Sequence, residues 1–344
     1  MEELERLIAA QIARWNTAFV EEAIFGTRAA REIAAQVAAF CVAQLGSAID
    51  GAVFYEASQG AVCGLRLTDG RRVVLKAHQP DRPLAFLQAV SFVQSFLAER
   101  DYPCPRPLLA PTLIGRGYAL VETLEDAGEF ISGHEPPVRQ AMAGLLARIA
   151  TLTDELVARE GERLAPLRPP RHEGLWRTPH SKIFDFKATT AGAEWIDALA
   201  REARVTLLRG AGQAVIGHGD WSAKHLRFVA GRVSVVYDWD SLLLDQEPEI
   251  VGAAATTFTQ AWGIEEQPTL PAPNEARAFV AEYEAARGRA FSPPEWEVLA
   301  ASATCAIAYG ARCQHSLDPH SGPFPEGSLR DTLARYGADY LAGR

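Results

Sequence analysis

A change of period, met twice along the chain, constrains the fold more than any other feature. Up to about residue 45 the apolar residues recur at helical spacing, as in Leu4, Leu7, Ile8 and Ile12 and again in Ile33, Val37, Phe40 and Cys41, with Gly26-Thr27 at the break. The pattern then becomes that of strands over residues 53–55, 61–67 and 72–77, with Asp69-Gly70 as a hairpin turn between the last two. A helical stretch, 83–100, is closed by Asp101-Tyr102-Pro103-Cys104-Pro105, and residues 108–121 supply two more short strands around Gly115-Arg116-Gly117. From Glu122 onward the period is mainly helical, with 138–156 as the longest amphipathic stretch. A Pro-rich segment, 166–180, reads as a loop insertion, and a hairpin over 226–229 and 233–237 interrupts the helices once more. Strands first and helices afterwards predict an α+β protein.

At 344 residues, 48% of them hydrophobic and 22% charged, the chain can bury two cores, which excludes wholesale disorder. Its 43 acidic and 34 basic side chains leave a net charge of −9, against the basic surface that binding to nucleic acid requires. No apolar run reaches the roughly 18 residues of a membrane span, and the start Met-Glu-Glu-Leu-Glu is acidic where a secretory signal is basic, so a cytoplasmic protein without a membrane partner is expected. The five cysteines are scattered, with no CxxC, and suggest neither a disulfide framework nor a zinc site.

Chemistry concentrates in Ile216-Gly-His-Gly-Asp-Trp-Ser-Ala-Lys-His-Leu-Arg-Phe228 and, after the hairpin, Val235-Val-Tyr-Asp-Trp-Asp240. Asp220 and Asp238 are separated by a loop, a strand, a tight turn and a second strand, so the hairpin folds one carboxylate back beside the other. Two acids so placed can divide the work: one orients and deprotonates a hydroxyl, the other holds a metal carrying phosphate.

With His218-Gly219-Asp220 and Asp238-Trp239 in this order, the chain resembles the aminoglycoside phosphotransferases and related small-molecule kinases, a branch of the bilobal protein-kinase-like fold, over about residues 48–260. The resemblance implies a small antiparallel sheet lobe (47–121), a mainly helical catalytic and substrate-binding lobe (122–344), and a helical N-terminal extension (1–46) outside the family pattern. It implies that Asp220 takes or orients the acceptor's proton and that Asp238 binds Mg²⁺ bridging the phosphates of ATP or GTP. Lys76, in Val73-Val74-Leu75-Lys76, matches the lysine that pairs with the α- and β-phosphates, the alternative being an edge-strand lysine kept for solubility. Ser58-Gln59-Gly60 sits where the phosphate-covering turn belongs, and Glu122 and Leu124 fall in the hinge whose backbone would hold the purine.

Three departures follow from the same comparison. The family's catalytic-loop asparagine is His225, a nitrogen where a hard cation prefers oxygen; it is either a metal ligand, with Mn²⁺ as an alternative ion, or a residue that hydrogen-bonds Asp220 and fixes the loop. The helix 83–100 should carry a glutamate for Lys76, yet the alignment puts Val90 there, with Gln88 and Gln94 the nearest polar residues. After the second motif, Asp245 and Glu249 match the family's acids only loosely. Gly219 replaces the arginine by which protein kinases meet a phosphorylated loop, and this favours a small-molecule substrate over a protein.

On the acceptor side the candidates are Trp221, His180, Asp240 and Asp245, with Asp240 on the side of Asp238 if the strand continues. A cationic acceptor would call for clustered carboxylates beside Asp220. The reading is a nucleotide-dependent O-phosphotransferase acting on an aminoglycoside-like antibiotic and giving resistance, with a kinase of an amino sugar or amino alcohol, or a catalytically weak nucleotide-binding protein, as alternatives. The sequence does not set an oligomeric state.

Overall fold

Burial of the N-terminal helices decides how the first part of the computed structural model, which describes residues 1–170 and 172–343, is built. Helices α1 (Glu2–Trp15), α2 (Phe19–Phe25) and α3 (Ala30–Phe40) are followed by β1 (Ile49–Ala57), β2 (Gly60–Leu67) and β3 (Arg72–His78). Then come α4 (Leu84–Ala98), β4 (Thr112–Ile114) and β5 (Gly117–Thr123). The five strands form one antiparallel sheet in the order β1-β2-β3-β5-β4. Leu4, Ile8, Ile24, Ile33 and Val37 share a single hydrophobic core with Leu65, Val73, Leu75 and Val121. The apolar stripe read at helical spacing is thus the cover of one sheet face, and the first compact unit runs from Met1 to Asp126.

Polar contacts fix that cover in register. Glu3 Oε2 accepts from the Ala52 amide at 2.9 Å, and Gln11 Nε2 donates to Ala57 O at 3.2 Å, tying α1 along β1. The Arg116 amide donates to Ile24 O at 2.7 Å, so the β4–β5 turn docks on the end of α2. The expected Asp69-Gly70 turn is present, with Gly70 at φ +87° and the Arg71 amide held by Asp69 Oδ1 at 3.0 Å.

The second unit begins at Ala127. It comprises α5 (Pro136–Arg159), α6 (Gly161–Leu164), α7 (Glu194–Arg209), β6 (Ala214–His218), β7 (Leu226–Val229), β8 (Arg232–Val236) and β9 (Leu242–Gln246). It continues with α8 (Glu247–Thr257), α9 (Pro273–Arg287), α10 (Pro293–Leu317) and α11 (Leu329–Tyr336). Helix α10 packs against α7 and α8, and α5 against α9. Two short antiparallel ladders, β6–β9 and β7–β8, lie within this helical body. The first sets His218 opposite Leu242, and the second sets Leu226 opposite Val236. The loops that follow β6 and β8 carry the two aspartates of the sequence motif.

Beyond the 3-10 turn Ala165–Leu167 the described residues of the Pro-rich segment are loop, and they and the residues that follow are held by side chains of α7 and α10. Arg204 donates to His172 O at 2.6 Å, Trp176 Nε1 to Asp197 at 2.8 Å, and Arg312 to Phe186 O at 2.6 Å. No helix among the described residues is long and apolar enough to cross a membrane.

Candidate active site

Strand β6 delivers His218 to the bottom of the site, where its ring is buried and ties two loops together. The ring donates from Nε2 to Tyr237 O at 3.1 Å and accepts the Asp220 amide on Nδ1 at 3.3 Å. Burial holds its pKa below the usual imidazole value, consistent with a neutral ring that serves as a strut. At Gly219 the loops cross so closely that a Cβ would stand 2.7 Å from the Leu243 side chain and 3.1 Å from Ser241 O. The Gly219 amide donates to Ser241 O at 2.7 Å.

Beyond Asp220 the chain makes one 3-10 turn, Ala223–His225, which turns two side chains back onto the carboxylate. Lys224 Nζ and His225 Nε2 both lie 3.0 Å from Asp220 Oδ2. The turn is anchored from outside by the Ala223 amide on Phe258 O at 2.9 Å and the Lys224 amide on Gln260 O at 3.3 Å. Partial desolvation pushes the Asp220 carboxyl up, but the hydrogen bond and charge of His225 together with Lys224 reverse this and hold it well below the carboxylate range. Both contacts fall on one oxygen, and the side chain is 43% exposed, so Oδ1 is left for a further donor.

Asp238 follows β8 with its backbone in the left-handed region, at φ +67°, a conformation aspartate tolerates better than most residues. Ser241 Oγ donates to its Oδ2 at 2.6 Å, and His225 Nε2 stands 3.8 Å from the same oxygen. One ligand atom from each of Asp220, His225 and Asp238 can be chosen so that all lie within 4.8 Å of one another. That span fits one divalent cation, and a set of two carboxylates and an imidazole suits Mn²⁺ at least as well as Mg²⁺. Of the two roles expected of His225, the structure contains the hydrogen bond to Asp220; ligation of an ion would use the same Nε2 and replace that bond.

In the sheet unit, Lys76 is paired. Its Nζ lies 3.1 Å from Glu122 Oε1, the two side chains being 9% and 5% exposed. Gln94 of α4 donates to Glu122 Oε2 at 2.8 Å and to Pro105 O at 2.9 Å. This removes one alternative and changes one expectation. The strand lysine is not a solubility device, because it is buried. Glu122 and Leu124 do not form an open hinge edge: the Glu122 carboxylate is turned into the sheet, the Thr123 amide donates to Arg106 O at 2.9 Å and the Leu124 amide to Arg72 O at 3.0 Å. The last strand runs two residues further than expected, to Thr123, and the Leu124 amide is the last backbone group bonded to the sheet. Ser58, Gln59 and Gly60 do form the β1–β2 turn, with Gln79 Nε2 donating to Gln59 O at 2.7 Å. Gly60 sits so close to β3 that a Cβ would lie 2.7 Å from Ala77 O.

The acceptor-side candidates divide. Trp221 is only 1% exposed and packs edge-on against the His218 ring at 5.5 Å, so it is core, a correction to its expected place on the substrate surface. Asp240 lies in a 3-10 turn, Trp239–Ser241, because the strand stops at Val236 and the alternation used to place it does not apply. Asp245 pairs with Val215, three rungs along the ladder from His218, and its charge acts on Glu249. The expected carboxylate cluster thus forms away from Asp220, and burial followed by repulsion from Asp245 pushes Glu249 up to about 7. His180 does approach the site: its ring feels the charges of both Asp220 and Lys224, burial and Arg177 lower its pKa, and its Nδ1 stands 2.9 Å from the Tyr309 hydroxyl. The Phe184 ring lies 4.9 Å from it. Lys224 escaped the sequence reading; its only signal was a cation four positions beyond the motif acid, close enough to return to it in a single turn.

No family model matches the chain. No curated protein matches it by sequence. Solved structures do match by fold. An amicoumacin kinase in complex with AMP-PNP, Ca²⁺ and Ami aligns at a TM-score of 0.58 and 11% identity, over 90% of this chain and 95% of that one. The apoenzyme of a macrolide 2′-phosphotransferase from Brachybacterium faecium aligns at 0.52 and 14% identity, over 82% of this chain and 98% of that one. An ethanolamine kinase from Plasmodium vivax aligns at 0.52 and 10% identity, over 91% and 87%. The two-unit α+β architecture is therefore the one adopted by small-molecule kinases and antibiotic phosphotransferases.

Proposed function

With the fold of the small-molecule kinases as premise, we propose that this chain is a nucleotide-dependent phosphotransferase that moves the γ-phosphoryl group of ATP or GTP to a hydroxyl of a small molecule. One observation carries the reading: the convergence of Asp220, His225 and Asp238 on a volume the size of one cation, with the second oxygen of Asp220 still open. In this reading Asp220 receives the acceptor O–H on Oδ1 and aims its oxygen at phosphorus. Its depressed basicity suits orientation of the hydroxyl, with the proton leaving late, rather than full deprotonation beforehand. Lys224, fixed beside it, supplies a cation where negative charge accumulates on the transferred group.

His225 and Asp238 would hold the divalent cation, which when bound neutralises phosphate charge. Lys76 would take the inner phosphates, and the tight Ser58-Gln59-Gly60 turn would cover them. As acceptor class we propose hydroxylated antibiotics, in keeping with the amicoumacin and macrolide enzymes of the same fold; such an activity would confer resistance. The rings of Phe184, Tyr309 and Trp176, which pack on and beyond His180, support an acceptor with a broad apolar face over a small polar metabolite. The test is nucleotide consumption by the purified protein, with ATP or GTP and Mg²⁺ or Mn²⁺, across a panel of macrolides, aminoglycosides, amino sugars and amino alcohols. Stimulation by an antibiotic supports the reading; stimulation by ethanolamine-like alcohols alone moves it to a metabolite kinase, and nucleotide binding without stimulated turnover to a binding protein.

A further inference from the structure

A buried lysine needs a counter-charge, and the origin of that charge here is unusual for the architecture. Helix α4 contains no acidic residue in Leu84–Ala98, and Val90, where a glutamate was expected, is fully buried among apolar neighbours. The carboxylate comes instead from the sheet itself. In the β3–β5 ladder Val74 faces Glu122 and Lys76 faces Leu120, so Lys76 and Glu122 are diagonal neighbours on one face of the sheet. The helix contributes only an amide: Gln94 reaches down from α4 and holds Glu122 Oε2 at 2.8 Å, while Oε1 lies 3.1 Å from Lys76 Nζ. Gln94 is itself fixed by Pro105 O at 2.9 Å, in the turn that follows the helix.

We propose that Glu122 is the positioning residue for Lys76: the ion pair that in the related kinases joins strand and helix has been moved wholly into the sheet, with Gln94 as its clamp. Its consequence is mechanical. When the carboxylate rides on a helix, displacement of the helix separates the pair; when it rides on the adjacent strand, the ladder hydrogen bonds keep the two residues in one register, and α4 contributes only the Gln94 clamp. The lysine is thus set in the protein before nucleotide arrives. The proposal rests on the phosphotransferase reading, since a positioned lysine presupposes a phosphate to meet.

The test uses the full chain with Mg·ATP, read by phosphorus NMR of the bound nucleotide, by ATP turnover and by thermal unfolding. The wild type should displace the α- and β-phosphorus resonances from their free positions, and Lys76→Met should abolish the displacement. Glu122→Gln should move the resonances most of the way toward those of Lys76→Met and lower kcat about tenfold, the size expected when a partner that orients a contacting group is lost. The exchange Gln94→Glu/Glu122→Gln keeps the charge of the buried cluster but places the carboxylate on α4 and gives up the bond to Pro105 O, so it should restore both readouts only in part. It remains informative if Glu122→Gln alone does not fold. Wild-type resonances and turnover in Glu122→Gln would overturn the proposal, as would a swapped variant that melts like wild type yet restores neither readout. If the wild type itself binds no Mg·ATP, the phosphotransferase reading falls and this one with it; if antibiotic-stimulated turnover is present and Glu122→Gln leaves it intact, only this one falls.

Discussion

The two ends of the β6–β9 ladder carry two carboxylates with opposite fates. At one end, where Ala214 pairs with Gln246, Glu247 opens α8 and is fully buried. Both of its oxygens are taken: Tyr283 Oη and Arg287 Nε lie 2.8 and 2.9 Å from Oε1, and Arg289 Nη2 lies 2.6 Å from Oε2. The arginines are held in turn by Asp154 and Glu295. At the other end, where His218 pairs with Leu242, Asp220 has cationic or imidazole partners on one oxygen only and keeps an open face. The difference separates a carboxylate saturated by protein partners from one with spare capacity. A carboxylate whose lone pairs are all satisfied by protein anchors a fold, whereas one left half satisfied has capacity for a substrate or an ion.

The contrast can be broken at either end. Asp220→Asn should reduce phosphoryl transfer by about 10³-fold with little change in melting temperature, checked by nucleotide consumption alongside a thermal melt. Transfer at the wild-type rate in that variant would remove Asp220 from the mechanism. Glu247→Leu should do the reverse, lowering stability by about 3–5 kcal/mol in denaturant titration because two arginines lose a buried partner, while turnover per folded molecule stays near wild type. Lys224→Met should lower kcat about a hundredfold, and weaken binding of ADP with aluminium fluoride more than binding of ADP alone, if its ammonium meets the transferred group.

Two further measurements sharpen the comparison. His225→Asn should leave Mg²⁺-supported activity unchanged or higher and reduce any preference for Mn²⁺, read from metal-dependence curves; a large loss with both ions would make the ring catalytic or structural in its own right. Glu249, in the first turn of α8, has its pKa raised from 4.5 to about 7, by burial first and by Asp245 second. A carboxyl raised in the folded state favours folding when protonated, so its contribution is complete below 4.5 and fades as pH rises through about 7. Glu249→Gln should therefore raise the melting temperature more at pH 8 than at pH 5, and an equal change at both would contradict the shift.

How far the site could be read in advance depended on the range of the interaction involved. The two aspartate motifs were legible because a hairpin constrains its two ends locally, which brings Asp220 and Asp238 together without knowledge of the rest. The β2–β3 turn and its lysine strand were legible for the same reason. Asp240 lies past the end of β8, so the condition for placing it by alternation, a continuing strand, is not met. Trp221 was misjudged because a large aromatic beside a motif acid looks alike in sequence whether it faces solvent or core. Asp245 and Glu249 lie near Asp220 along the chain but are led away from it by the ladder.

By itself, the sequence determined the order of sheet and helices, the hairpins and the identity of the two motif acids, because each follows from periodicity or from contacts within a few residues. Only the tertiary structure decided which groups meet across long separations. It packed the first three helices into the sheet's core, brought His180 toward Asp220, and chose Glu122 rather than a helix residue as the partner of Lys76. A buried charge takes its partner from whatever the packing brings within about 3 Å, and sequence distance places no limit on that choice.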